Sequence, residues 1–455
     1  MTNVNKALEM GSDPEKLAQA FLRDYFDGKQ ATYPINPFQM LTDMGVPFVF
    51  RPFKNYEGVY IPPENGDDIP VVAINLKRPI TRQRFTAAHE LCHHLKDRTA
   101  GMICQIRSNA EIEKYAEKFA AALLMPTGAL TEQVNKYAIN GYVSFDDILR
   151  IAHFFGVSFQ SCAFRIAYKL NAIDGETSPK SLTKRINKYA PEKKRILENL
   201  QNLGLYEDLF LAAANNFILA PSPNISYKFQ NEYVYNDSRL EGIEIELEQV
   251  AEIVTDIRLK KQDSEFCVSE YKNILEVAGH AAMYQTIFEM AGQDKISIFD
   301  SLILNKQLYS CAPFPEEGGK TRDVDTLVLG AKFETIGHQD IYSELLKLEE
   351  QVRYIKDHAD KINIAEYIER AIQIHHRMTV IHPFSDGNGR TSRAFLNLLL
   401  IRNKIPPVYV KIENRKEYLS ALSVADRTGD FAPLYEVFFK GIMQVHSDLT
   451  SFPEL

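Results

Sequence analysis

The feature that most constrains the fold is a loop, HPFSDGNGRTSR at residues 382–393, that joins two predicted helices. The stretch before it, AEYIERAIQIHHRMTVI, has a helical pattern that Pro383 ends, because proline cannot continue a helix. The stretch after it, RTSRAFLNLLLIRN, is helical again and places four apolar residues on one face, namely Ala394, Phe395, Leu398 and Leu399. The loop therefore leads into a helix N-terminus, where unpaired N–H groups and a partial positive charge favour a phosphate.

Four residues of this loop predict a phosphate-binding site. Gly387 and Gly389 allow the backbone to approach a ligand closely, because glycine has no Cβ. Arg390 and Arg393 are three positions apart in the predicted helix and share a face. Their guanidinium groups suit phosphate because the planar fork matches its oxygen geometry.

Two further residues of the loop supply reactive groups. Asp386 can hold Mg²⁺, a cation that prefers carboxylate and phosphate oxygens. His382 can act as a general base toward an incoming hydroxyl group. Residues 382–393 therefore predict transfer from a magnesium-bound nucleotide to a hydroxyl group.

A second motif, HELCH at residues 89–93, predicts a zinc site. His89 and His93 share one face of a helix, so both imidazoles can bind one Zn²⁺, and Glu90 can take a proton from the attacking water. A catalytic zinc site needs a third protein ligand, and Glu113 lies early in the next predicted helix. The alternative is a helix with adjacent histidines and a capping glutamate.

Composition narrows the class of protein. The chain has 455 residues and a net charge of −8, which predicts two or three globular domains and argues against non-specific binding to nucleic acid or membranes. No signal-peptide pattern opens it, and no apolar run approaches the ~20 residues of a membrane helix. The five scattered cysteines predict reduced thiols in a cytoplasmic protein and no disulfide framework.

Hydrophobic patterns divide the chain into three segments. We expect an α+β domain at 1–172, a polar connector at 173–230 and a mainly helical domain at 231–455. The basic residues at 174–195 of the connector form a solvated face or, alternatively, a contact with a partner or with nucleic acid. In the first segment the patterns predict two strands, at 46–53 and 69–76, and five helices, at 13–26, 83–97, 110–125, 144–156 and 159–170. In the third segment a turn and hairpin are expected at 313–330.

The stretch RFTAAHELCHHLKD, followed by ExxAExFAAALLMP, resembles the ImmA/IrrE-type metallopeptidases over about residues 35–170. The resemblance implies a zincin-like α+β fold with His89, His93 and Glu113 as zinc ligands and Glu90 as general base. Glu117 departs from the family pattern, which usually has Asn there. It lies on the same helical face as Glu113 and could compete for the metal.

The loop at 382–393 matches HPFx(D/E)GNGRxxR, the signature of the Fic family, and the resemblance extends over about 231–455. It implies an all-α fold with a β-hairpin flap near 320–332 that holds a target chain by strand pairing. It also implies transfer of AMP from ATP to a Ser, Thr or Tyr hydroxyl of a protein, with Asn388 and the Gly389 backbone steadying the phosphates. A lysine at position 389 would resemble the Doc-like branch, which transfers the γ-phosphate.

Fic proteins often carry an inhibitory motif, (S/T)xxxE(G/N), and Glu241-Gly242 matches its second half. The resemblance implies that Glu241 pairs with Arg393 and displaces the γ-phosphate of ATP. Asp237 stands where Ser or Thr is usual. The alternative is that Glu241 is a helix-surface residue without a regulatory role.

Several functions remain open on the sequence. The peptidase half could cut the 173–230 connector and so regulate the transferase, or it could remove an antitoxin or repressor in a toxin–antitoxin arrangement. A protein that binds ATP and zinc as a sensor without turnover is an alternative from another class. Removal of AMP from a target is a further one, and the Fic resemblance favours a homodimer.

Overall fold

The computed structural model describes residues 1–63, 68–97, 102–105, 111–189, 203–212, 223–293, 295–326 and 335–450. The chain divides into two compact units, Met1–Ala213 and Ala214–Leu455. The first combines a small sheet with helices, and the described part of the second is helical. This multidomain α+β architecture is the one that the sequence predicts. Within the described residues, no helix is long and apolar enough to cross a membrane.

The sheet of the first unit has four strands in the order β1-β3-β2-β4. β3 pairs parallel with β1 and antiparallel with β2, and β2 pairs antiparallel with β4. The strands are β1 Phe48–Arg51, β2 Tyr56–Ile61, β3 Val71–Asn75 and β4 Met102–Gln105. Only β1 and β3 are apparent from the sequence, because they carry the apolar runs.

Ten α-helices are described in the first unit: α1 Thr2–Glu9, α2 Pro14–Tyr25, α3 Pro37–Asp43, α4 Ile80–Lys96, α5 Glu111–Leu124, α6 Thr127–Tyr137, α7 Phe145–Phe155, α8 Phe159–Arg165, α9 Pro179–Lys188 and α10 203–212. A π-helix, Ile166–Leu170, follows α8 directly. Local signals set several ends. Ser144 and Asp147 form a capping box at the start of α7, and Gly156 ends that helix at φ 63°. The helix most relevant to function is α4, which packs against β2, β3 and α5.

The predicted connector at 173–230 contributes to the first unit. α9 and α10 bury apolar side chains there, namely Leu182, Ile186, Leu209 and Phe210. From residue 223 the chain belongs to the first helix of the second unit. The amphipathic pattern of α9 gives the physical reason, because a buried face needs a packing partner.

The second unit has nine helices in its described residues: α11 Pro223–Leu240, α12 Leu247–Lys260, α13 Lys272–Ala291, α14 Asp300–Leu308, α15 Ile341–Asp357, α16 Ile364–Ile381, α17 Asn388–Arg402, α18 Arg415–Thr428 and α19 Ala432–Thr450. α17 is almost entirely buried and packs against α13, α14 and α16. Of the expected hairpin, 315–317 form a single 3-10 turn, and 327–334 lie outside the described residues. α17 therefore places the 382–393 loop at the centre of a helical bundle.

The prediction that all cysteines are reduced is wrong for one pair. Cys267 and Cys311 form a disulfide, whereas Cys92 and Cys162 are free and buried. The bonded residues are separated by 44 positions, and the segments before α13 and after α14 bring their Cα atoms to 4.5 Å. Spacing along the chain does not reveal such a pairing.

Two candidate active sites

The first candidate site is a cluster of three buried side chains on α4 and α5. His89 Nε2 lies 3.1 Å from Glu113 Oε2, and His93 Nε2 lies 3.1 Å from His89 Nε2. The ligand atoms of His89, His93 and Glu113 all lie within 4.8 Å of one another. Two imidazole nitrogens and a carboxylate form a donor set that catalytic zinc sites use, so these residues fit a zinc ion. Burial lowers the pKa of His89, which favours the neutral imidazole that binds metal.

Glu90 lies next to this cluster and is completely buried. Neither of its carboxylate oxygens has a hydrogen-bond partner among the described residues. Burial, together with the negative charge of Glu113, raises its pKa well above the usual value. An unpaired buried carboxyl group is costly, which suggests that this one serves chemistry.

Asp97 orients one of the histidines and was not predicted from the sequence. Its Oδ2 lies 3.0 Å from His93 Nδ1, which fixes the tautomer and directs Nε2 toward the cluster. Burial alone would raise the pKa of Asp97, but the His93 contact and Lys96 lower it. The sequence feature that could have indicated this contact is the position of Asp97 one helical turn after His93.

Two neighbouring side chains stay outside the cluster. His94 Nδ1 lies 3.2 Å from the hydroxyl oxygen of Tyr60, on another side of α4. Glu117 is exposed on α5 and is not among the clustered ligand atoms of the described residues. The expected competition of Glu117 for metal therefore has no geometric support in this arrangement.

Gly58 on β2 has no Cβ, and the Glu90 side chain occupies the space that a Cβ would fill. A Cβ at this position would lie 2.4 Å from Thr86 Cγ2 and 2.6 Å from Glu90 Oε1. We expect Gly58→Ala to destabilise the first unit by about 1–3 kcal/mol through overpacking, measured as a lower melting temperature by calorimetry. Gly128→Ala is the matched control, because a Cβ there meets nothing within 4 Å. Equal melting temperatures for the two variants would contradict this account of Gly58.

The second candidate site is the 382–393 loop between α16 and α17. Its ends are held together by Asn388, whose Oδ1 accepts from the Phe384 N–H at 2.9 Å and whose Nδ2 donates to the Phe384 carbonyl at 2.7 Å. The Asn388 side chain thus stabilises the loop. Its predicted contribution to phosphate binding would come from the backbone.

The N-terminus of α17 opens toward this loop. Its first intrahelical bond runs from the Thr391 N–H to the Gly387 carbonyl at 2.9 Å, so the N–H groups of 388–390 precede the helical ladder. Gly387 has φ 77°, and a Cβ there would lie 2.7 Å from Leu308 Cδ2. Both facts require glycine. The arrangement provides the predicted cradle for an anion.

His382 follows α16 in the left-handed region, with φ 51°. Its Nδ1 lies 3.3 Å from the Thr379 carbonyl oxygen, so Nδ1 carries the proton and Nε2 is the basic nitrogen. Burial lowers the pKa of His382, and the positive charge of Arg322 lowers it further, against opposing contributions from Thr379 and Asp386. The imidazole is therefore neutral at pH 7 and can accept a proton.

Asp386 presents an exposed carboxylate beside the same cradle. It accepts from the Tyr309 hydroxyl at 2.7 Å and from the Gly387 N–H at 2.7 Å, and Arg390 Nη2 lies 3.6 Å away. Partial desolvation raises its pKa, but these donors and Arg390 lower it below the usual value. The buried Arg390 also lies 3.7 Å from Glu276. An anionic carboxylate next to a phosphate cradle fits a magnesium-bound nucleotide.

Two protein-family models match parts of the chain. A family model described as IrrE N-terminal-like domain matches residues 41–167, and one described as Fic/DOC family matches residues 298–400. The chain carries an IrrE-like domain and a Fic domain.

Curated relatives of the chain are named protein adenylyltransferases. Fic-1 of Caenorhabditis briggsae is 30% identical over 201 residues, which cover 44% of this chain and 37% of that protein. Protein adenylyltransferase Fic of Nematostella vectensis is 27% identical over 204 residues, which cover 44% of each chain. The chain thus spans less than half the length of these relatives. A solved structure of Fic-1 from C. elegans is 23% identical and covers 71% of this chain and 92% of that chain, with a TM-score of 0.45.

In the second unit, Glu241 lies directly after α11 and forms an ion pair with Arg393, with 2.5 Å between Oε1 and Nη2. A Cβ at Gly389 would lie 3.0 Å from Arg393 Nη1 and 3.2 Å from Glu241 Oε1. The ion pair therefore lies against the 382–393 loop. Gly242 follows at φ 89°, a conformation that favours glycine.

Two contacts of this site were not predicted from the sequence, although Asp237 was noted as a departure from the inhibitory motif. Asp237 bonds Arg393 at Nε, and the buried Arg322 donates from Nε to the His382 carbonyl at 2.8 Å. The main-chain N–H of Arg322 also donates to the Pro383 carbonyl at 2.8 Å. These hydrogen bonds from Arg322 fix the backbone at the start of the 382–393 loop. Neither contact was predicted, because both join segments far apart in the chain.

Proposed function

We propose that the Fic domain transfers AMP from ATP to a Ser, Thr or Tyr hydroxyl of a protein. The observation that carries the proposal is the neutral His382, whose basic Nε2 lies in the loop that also exposes the N–H groups of 388–390. A base beside a phosphate cradle suits attack of a hydroxyl on a phosphate. The names of the curated relatives support the same reaction.

Each residue then has a role. His382 Nε2 takes the proton of the target hydroxyl, whose oxygen forms a bond to the α-phosphorus while the bond to the pyrophosphate oxygen breaks. The N–H groups of α17, with Arg390 and Arg393, hold the phosphates. Magnesium, when held by Asp386, supplies positive charge that offsets the phosphate oxygens.

In this proposal Glu241 restrains the reaction. It occupies Nη2 of Arg393, a group that would otherwise be free to bind the γ-phosphate. Its carboxylate also lies beside the phosphate loop, where it would repel a negatively charged nucleotide. Loss of this carboxylate should therefore raise transfer.

Position-specific labelling of ATP tests the reaction type. The Glu241→Gly protein should incorporate label from the α-phosphate of ATP and none from the γ-phosphate. Incorporation of γ-label would instead indicate phosphorylation. Release of AMP from a pre-modified protein, without incorporation, would favour the alternative of AMP removal.

The charge and the hydrogen bonds of Arg322 can be tested separately. His382 works unprotonated, so the rate should fall as pH drops through its pKa, which lies below the usual value. Arg322→Met removes a cation that lowers this pKa, and we expect the acid limb of the pH–rate profile to move to higher pH. Arg322→Lys keeps the positive charge, so the acid limb of its pH–rate profile should stay in place. The rate itself should fall, because lysine lacks the guanidinium fork that makes several hydrogen bonds. Acid limbs at the same pH in the parent, Arg322→Met and Arg322→Lys proteins would contradict an electrostatic effect of Arg322 on His382.

We also propose that the IrrE-like domain is a zinc peptidase, on the basis of the clustered His89, His93 and Glu113. Zinc, when bound there, polarises the peptide carbonyl and the attacking water. The charge of the ion would favour the carboxylate form of Glu90, which would take the proton of that water as the water oxygen bonds to the carbonyl carbon. Glu90 would then pass the proton to the leaving amine as the C–N bond breaks. Elemental analysis of the purified chain tests metal content, with one zinc expected per chain and none in His93→Ala.

The substrate of this peptidase and the setting of the protein stay predictions. An antitoxin or repressor, and the chain's own 173–230 segment, are the proposed substrates. Incubation of zinc-loaded protein without any cleavage of that segment would count against self-processing. A cytoplasmic location, a homodimer and the sensor alternative are likewise untested.

A further inference from the structure

Asp237 forms a buried network of charged and polar side chains behind the phosphate loop. Its Oδ1 accepts from Arg393 Nε, and its Oδ2 lies 2.8 Å from His280 Nε2. His280 Nδ1 lies 3.2 Å from the Ser238 hydroxyl oxygen. The Asp237 and His280 side chains are both 0% exposed. The network therefore joins α11, α13 and α17 within the Fic domain.

This network is more than a surface ion pair. A buried carboxylate is costly unless it is paired and hydrogen-bonded. Asp237 Oδ1 is hydrogen-bonded to Arg393 Nε, and Oδ2 lies 2.8 Å from His280 Nε2 without hydrogen-bond geometry. Burial alone would raise its pKa, but Arg393 and His280 lower the pKa to about 2. Asp237 is therefore a fixed anion across the working pH range.

The two carboxylates on Arg393 differ in accessibility. Asp237, at Nε, is fully buried, whereas the side chain of Glu241, at Nη2, is 36% exposed. Nη1 faces the phosphate loop, 3.0 Å from a Cβ position at Gly389. The Glu241 side chain can thus move away from Arg393 while Asp237 remains bound to Nε. The Arg393 guanidinium would then keep Nη1 and Nη2 directed at the 382–393 loop.

We propose that Asp237 is a positioning residue that, through Arg393, sets the preference of the Fic domain for a nucleoside triphosphate over a diphosphate. It holds the guanidinium at Nε, so that both terminal nitrogens face the γ-phosphate once Glu241 has moved. The inference rests on the proposed function, which places ATP in this loop. Ser or Thr, usual at this position in the motif, would be too short to bond Nε in the same way.

The test is the ratio of ATP to ADP affinity, measured by calorimetry with magnesium on full-length protein. All variants are made in the Glu241→Gly background. Asp237→Leu has the shape of Asp without an acceptor and should lower the ratio by roughly tenfold or more, the effect of one hydrogen bond to a charged group. Asp237→Asn keeps an acceptor for Nε and should retain most of the ratio. ADP affinity should stay the same in both, because ADP lacks the γ-phosphate.

A second short substitution guards against misfolding. Asp237→Ser fits the site without strain, and it should lower the ratio of ATP to ADP affinity as Asp237→Leu does. An unchanged ratio in both variants would overturn the proposal. A rise in ATP affinity in both Asp237→Asn and Asp237→Leu would also overturn the proposal. The negative charge of Asp237, and not its hydrogen bond to Arg393, would then determine ATP affinity. If the Glu241→Gly parent binds neither nucleotide, the proposed function itself fails, which is a distinguishable result.

Discussion

Replacing His382 with Ala in the Glu241→Gly protein is expected to lower the rate of AMP transfer by about 10²–10⁴-fold, the usual contribution of a general base. The reason is that His382 Nε2 is the basic nitrogen at the loop, since Nδ1 is engaged with the Thr379 carbonyl. ATP affinity should change little, because in the proposed complex the phosphates contact the N–H groups of α17 and the arginines. Rates with labelled ATP and affinities by calorimetry check the two parts separately.

A matched histidine controls for general effects of the substitution. His358 follows α15 in the same unit, and the described contacts of its side chain are with Tyr354: it stacks on that ring, and its Nδ1 lies 2.9 Å from the Tyr354 carbonyl oxygen. His358→Ala should leave transfer unchanged. A His382→Ala protein that transfers AMP at the parent rate would contradict the assignment of the base. A parallel loss of ATP affinity would instead indicate that the substitution disturbs the loop.

The second large effect concerns zinc. Zinc at a thousandfold excess over its dissociation constant should stabilise the IrrE-like domain by about 4 kcal/mol, because it binds the folded state. His89→Ala removes a ligand and should abolish the zinc-dependent rise in melting temperature. Glu90→Gln should keep that rise, since Glu90 is not among the clustered ligand atoms, yet lower peptide cleavage by about 10²–10⁴-fold.

The control for this experiment is His153 on α7, an exposed histidine outside the cluster. His153→Ala should respond to zinc like the wild type. A zinc-dependent rise that persists in His89→Ala would show that the metal binds elsewhere. Full peptide cleavage by Glu90→Gln would contradict its role as general base.

Short-range patterns predicted much of the molecule. The helix around the HELCH motif was expected at 83–97 and spans Ile80–Lys96, and the next was expected at 110–125 and spans Glu111–Leu124. These elements have strong apolar periodicity, proline or glycine at their ends, and side chains four apart on one face. The same rule explains why His89 and His93 lie together.

Long-range contacts could not be predicted in this way. Asp237, His280 and Arg322 belong to segments far from the 382–393 loop, and only packing of the helices brings them to it. Strand β2 was missed because Gly58, which Glu90 requires, interrupts its apolar alternation. The Cys267–Cys311 pairing was missed for the same reason of distance along the chain.

The measurement that tests the central claim most directly is intact-mass spectrometry after incubation with magnesium and ATP. Wild type, Glu241→Gly, and Glu241→Gly combined with His382→Ala are compared. The account predicts an AMP-sized adduct on the Glu241→Gly protein alone. An equal adduct on wild type would contradict the restraint by Glu241, an adduct on the double variant would contradict the role of His382, and a phosphate-sized adduct would contradict AMP transfer.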